Sequence, residues 1–149
     1  MAKSPKVKVE PKAEKNPRAS FDPESSNRQT PCWQLSQIDF DGPWGWGDMG
    51  RDVLLDEIHR KLSNFESMTW GEILAATGGR RSGNNSHFVS IEDLCREARQ
   101  RLEELRRNDL DELFSLRLTG RGRVWGVRIG RVLQVLWYDR DHQVCPSSV

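Results

Sequence analysis

The chain has 149 residues, of which 23 are lysine or arginine and 22 aspartate or glutamate, for a formal net charge of +1. That length holds one domain with a modest core, and the charge balance means that attraction to an anionic partner has to come from a local feature rather than from the whole chain. No run approaches membrane-spanning length, no signal-peptide apolar stretch is present, and the three widely spaced cysteines (Cys32, Cys95, Cys145) fit a reducing cytoplasm better than a disulfide framework.

Residues 1–30 contain Pro5, Pro11, Pro17 and Pro23, almost no large apolar side chains, and seven Lys/Arg against four Asp/Glu. Such a segment cannot bury enough surface to offset its ordering entropy. It is expected to be a disordered basic tail, dispensable for folding, ahead of a single domain at 31–149. Residues 33–40 are rich in Trp, Leu, Ile and Phe and stop at Asp41-Gly42-Pro43, which suits an edge strand. The next stretch, GPWGWGDMG, lacks the lysine of a phosphate loop, and its tryptophans should fill the interior.

Residues 51–65 place Leu54, Leu55, Ile58, Leu62 and Phe65 at helical spacing. Thr69-Trp70-Gly71-Glu72 is a capping-box pattern that opens a short helix, closed by Gly78-Gly79. The loop at 78–86 carries Arg80 and Arg81, either contacts for an RNA backbone or part of a solvated linker; His87 follows it. Ser90-Ile91-Glu92-Asp93 opens the longest helix, running to residue 107, with Ile91, Leu94, Cys95, Ala98, Leu102 and Leu105 along one face.

The most informative stretch is 115–138, with five arginines (Arg117, Arg121, Arg123, Arg128, Arg131) and no acid. It reads as three antiparallel strands, 113–119, 123–129 and 132–138, joined at Gly120-Arg121-Gly122 and Gly130-Arg131. The turns pair Thr119 with Arg123, Leu118 with Val124, Arg128 with Leu133 and Val124 with Trp137. Alternation then collects Phe114, Leu116, Leu118, Val124, Leu133, Val135 and Trp137 on a core face. The other face carries Arg117, Arg123, Trp125, Val127, Gln134, Leu136 and Tyr138. That second face suits a nucleic acid, with guanidiniums for phosphate, Trp125 for stacking, Gln134 for hydrogen bonding and Arg121 at the turn. Alternatively, Trp125 and Leu136 are buried in a sheet covered on both sides, with the arginines at its rim. The expected fold is α+β, with the helices at 51–65 and 90–107 packed on one face of a small antiparallel meander.

The run LFSLRLTGRGRVWGVRIGRVLQVLWYDRDH (113–142) resembles the RelE/ParE toxin superfamily of bacterial toxin–antitoxin modules. The carriers are Leu116-Arg117-Leu118, the glycine turn, Arg123-Val124-Trp125, and an apolar last strand followed by His142. The resemblance implies a RelE-like fold and a metal-independent endoribonuclease that cuts mRNA, often on the ribosome, and is neutralised by a cognate antitoxin. Carried over position by position, Arg117 and Arg123 would clamp the scissile phosphate and Tyr138 or His142 would move the proton. An RNA 2′-hydroxyl can serve as internal nucleophile, so positioning, charge stabilisation and proton transfer suffice, and neither a metal nor a cofactor is expected. The chain departs from the pattern in lacking lysine beyond Lys61 and in placing Asp139 and Asp141 beside the site. ParE-type members poison gyrase instead, so a non-catalytic module binding a nucleic acid or a protein is the alternative. His142-x-x-Cys145 offers too few ligands for zinc, and His59 reads as a surface residue.

Overall fold

The computed structural model describes residues 26–76 and 86–146. Its strands are β1 (Cys32–Gln34), β2 (His87–Ser90), β3 (Glu112–Thr119), β4 (Gly122–Ile129) and β5 (Val132–Asp139). They form one mixed sheet in the order β1-β5-β4-β3-β2, with β1 parallel to β5 and every other pair antiparallel. A π-helical stretch, Val53–His59, runs into helix α1 (Arg60–Phe65); α2 (Trp70–Ala75) and α3 (Arg96–Glu104) complete the α+β architecture. Among the described residues no helix is long and apolar enough to cross a membrane.

Both faces of the sheet are covered, and this corrects the expectation of two helices on one side. Over the first face, Ile58 and Leu62 together with Trp70 and Ile73 of α2 pack on Phe114, Leu116, Val124, Leu133 and Val135. Over the second, Leu94 and Ala98 and Leu102 of α3, with Trp44 and Val144, pack on Leu113, Trp125, Leu136 and Trp137. The π-helical winding, with hydrogen bonds spanning five residues, changes the angular spacing expected over 51–65. Leu54 and Leu55 are consequently exposed while Ile58 and Leu62 remain inside. The Thr69 capping box forms as expected: Thr69 Oγ1 accepts from Glu72 N at 3.1 Å and Glu72 Oε1 accepts from Thr69 N at 2.9 Å. Ser90 does not cap a helix. It ends β2 opposite Glu112, and the helix starts only at Arg96, after a 3₁₀ turn at Ile91–Asp93.

The meander is present, but two bulges alter its register. At the β3–β4 turn, Gly120 (φ +41°) and Arg121 form the loop and Thr119 pairs with Gly122. After a shift between Arg117 and Thr119, Leu116 rather than Leu118 faces Val124. Between β4 and β5 the expected pairing of Arg128 with Leu133 holds, and the register runs unbroken as far as Gly126, opposite Val135. Leu136 is then the extra residue, and Trp125 faces Trp137, Val124 faces Tyr138 and Arg123 faces Asp139. One inserted residue exchanges the faces of everything beyond it, so Trp137 lies on the second face and Tyr138 on the first. The bulge has two supports. Asp39 N donates to Leu136 O at 3.0 Å, and Gly126 brings its backbone so near β5 that a Cβ there would stand 2.2 Å from Gln134 O.

Residues 26–30, just ahead of β1, are docked. Trp70 N and Gly71 N donate to Gln29 O and Asn27 O, both at 2.9 Å, and Arg131 holds Thr30 through Oγ1 and the carbonyl. Residues 26–30 therefore belong to the folded body, and the expected boundary at 30/31 falls inside it. On the other flank, buried Asp39 accepts from Arg101 Nη2 (2.8 Å) and Nε (2.9 Å), Trp137 Nε1 (2.9 Å) and the amides of Asp41 and Gly42. Burial pushes its carboxyl pKa up, but these donors outweigh that effect and hold it at about 2. Asp39 thus ties the 39–46 loop, α3 and β5 together.

Candidate functional site

The register assembles two rows across the second face. One runs His87, Ser115, Trp125, Trp137; the next runs Arg117, Arg123, Asp139. Arg117 and Arg123 stand directly opposite each other on neighbouring strands. Like charges in that relation are unfavourable, and Asp139, opposite Arg123 on the other side, counters part of the cost. Arg123 is 5% exposed, and its Nη1 donates to Gly120 O at 2.9 Å and Gly122 O at 3.1 Å. The hairpin turn therefore fixes its position. Burial lowers the pKa of its guanidinium, the Arg117 cation lowers it further, and Asp139 opposes both.

Asp139 is fully buried and closes the row from below. It accepts from Trp125 Nε1 (3.2 Å), Gln143 N (2.7 Å) and Val144 N (2.8 Å). Those two amides fold the chain back over the end of β5, and the return places His142 in the left-handed region at φ +60°. A β-substituted residue takes that conformation only at an energetic cost. His142 is half-buried within the field of this cluster. Burial first, then Arg123, with further contributions from His87 and Arg117, lower its pKa against the pull of Asp139. An imidazole so placed is neutral near pH 7 and can accept a proton.

The structure sets Arg117 opposite Arg123, with His142 within the field of both, and separates the other expected site residues from them. Tyr138 is on the opposite face, where its Oη donates to Glu57 Oε1 at 2.6 Å; burial, then that bond, raise its pKa. Its assignment as acid or base beside the arginines is therefore overturned by the bulge. Trp125 is 1% exposed with its Nε1 on Asp139, so it supports the site from within and cannot stack a base. Gln134 lies toward the other end of β5, opposite Val127 and beside Gln34, away from the arginine row. Arg121 is exposed in the turn, 3.6 Å from Asp141, in an open cleft shared with Glu57, Tyr138 and Arg140. Arg80 and Arg81 lie outside the described residues.

Asp39 aside, sequence reasoning misses two further features of the site. His87 opens a four-residue strand whose only signal is the alternation His-Phe-Val-Ser. Asp139 turns inward, whereas sequence alone leaves it beside the site as a charge that could either orient His142 or repel phosphate. No protein-family model, curated protein or solved structure matches the chain. Its class therefore rests on the fold described above, an α+β protein built on a five-stranded mixed sheet.

Proposed function

We propose that the protein is an endoribonuclease of the RelE type, cleaving mRNA without a metal ion and held in check by an antitoxin. The observation that carries this reading is the row in which Arg117 and Arg123 face each other, with the half-buried His142 within their field. Two guanidiniums on neighbouring strands suit the two non-bridging oxygens of one phosphodiester, and they are placed to stabilise the extra charge of a phosphorane-like state. His142, neutral beside them, takes the proton from the 2′-hydroxyl as that oxygen attacks phosphorus. The product would be a 2′,3′-cyclic phosphate and a free 5′-hydroxyl.

The test is incubation of the full chain with single-stranded RNA and with the same strand lacking its 2′-hydroxyls. Cleavage of the first alone, with cyclic-phosphate ends and no loss in EDTA, is the expected result. Binding of both strands without cleavage would instead make this row a site for a non-catalytic nucleic-acid-binding module.

A further inference from the structure

Attack by a 2′-oxygen solves only half of the proton problem. As the 2′-O–P bond forms, the P–O5′ bond breaks, and the departing oxygen leaves as a poor alkoxide unless a proton reaches it. Tyr138, the residue expected to share this duty with His142, faces the other side of the sheet and is bonded to Glu57. The proton donor has to come from the second face.

His87 has the required position. It stands opposite Ser115 in the β2–β3 pairing, on the same face as Arg117 and one row away from it. The backbone there is held in place, since Arg117 N donates to Ser86 Oγ at 2.9 Å. His142 follows the end of β5, on one side of the arginine pair, and His87 lies on β2, on the other. A phosphate over Arg117 and Arg123 would therefore have one imidazole toward each flank, as an in-line displacement needs, because the entering and leaving oxygens lie on opposite sides of phosphorus. His87 is exposed and so accessible to a substrate. It is also near enough for its charge to be felt at His142.

We infer that His87 is the general acid of the reaction proposed above, protonating the departing 5′-oxygen while His142 accepts the 2′-hydroxyl proton. The inference rests on the RNA-cleavage reading. The balance is one proton from the 2′-hydroxyl to His142 and one from His87 to O5′, with no external oxidant or co-reactant.

The test compares two substrates once the cut site on an ordinary RNA has been mapped. One is that RNA; the other carries sulfur in place of the bridging 5′-oxygen at that site, and a thiolate leaves without needing a proton. The variants are His87→Ala, His87→Gln and His142→Ala, each checked for an unchanged circular-dichroism spectrum. Both His87 variants should slow cleavage of ordinary RNA by about 10²–10⁴-fold, yet cut the sulfur substrate within a few-fold of the wild-type rate. His142→Ala should be slow on both substrates. His87 variants that cut ordinary RNA at the wild-type rate, or that lose as much on the sulfur substrate, would overturn the acid assignment and leave the cleavage reading intact. A wild-type chain that cuts neither substrate would remove the cleavage reading and this inference together.

Discussion

Arg128 and Arg123 lie on the same strand and are equally buried, each 5% exposed, yet they face opposite sides of the sheet and meet different surroundings. On the first face the Arg128 guanidinium sits 4.2 Å from the centre of the Trp70 ring, with Phe114 at 5.4 Å, and donates to Gly130 O and Asn27 Oδ1. Burial alone brings its pKa down to about 10. Its charge is taken up by aromatic faces and local acceptors, and the result is cohesion between α2, β4 and the 26–30 segment. On the second face Arg123 has another arginine opposite it, an imidazole nearby and a fully buried carboxylate behind. The difference teaches that equal burial of the same residue type leaves two arginines in opposite electrostatic settings. On the cleavage reading proposed above, it is the like charge held alongside that sets Arg123 apart.

The sharpest way to break this contrast is to remove the partner on each side. Trp70→Ala should cost about 3–5 kcal/mol in chemical denaturation, because it opens a cavity and strips Arg128 of its ring, while RNA cleavage per folded molecule stays near wild type. Arg117→Met should do the reverse: cleavage falls by about 10²–10³-fold, and unfolding free energy changes by about 1 kcal/mol or less. If Arg117→Met instead unfolds the chain, the arginine row is a structural element and the second face has no site.

Acid should act on the Asp39 support before it reaches the arginines. Its carboxyl is held at about 2 in the fold against an ordinary 3.8. The stabilisation is therefore fully present above about pH 4 and is lost as the pH falls toward 2, by roughly 2 kcal/mol in all. Asp39→Asn should flatten that part of the stability–pH curve. The smallest effect should come from Arg121→Ala. Its pair with Asp141 is exposed on both sides, so the loss in a denaturation experiment should be a few tenths of a kcal/mol.

Local chemistry is legible in the sequence where it alone decides structure. Gly130 and Gly120 mark both hairpin turns, and Thr69-x-x-Glu72 marks a helix start; of the four residues the resemblance groups as a site, Tyr138 falls on the other face of the sheet. The failures share a cause in contacts distant along the chain. The Leu136 bulge depends on Asp39, about a hundred positions earlier, and on the near approach of Gly126; without it Trp137 and Tyr138 would face as alternation dictates. The strand that presents His87 is four residues long and exists because β3 offers it an edge. Ser90 carries a capping pattern, but pairing with Glu112 outweighs it. The aromatic residues of the second face read as a surface because their cover, Trp44, α3 and Val144, comes from three separate stretches.

The left-handed backbone at His142 has a consequence for how such a chain can change. A non-glycine residue held at φ +60° gives up about 1–2 kcal/mol, so His142→Gly should yield a protein that melts higher and performs no proton transfer. On the cleavage reading, selection for a robust fold and selection for chemistry would pull this position in opposite directions. A population of variants screened for solubility or heat resistance alone should accumulate glycine or asparagine here and lose activity without any visible damage to the structure.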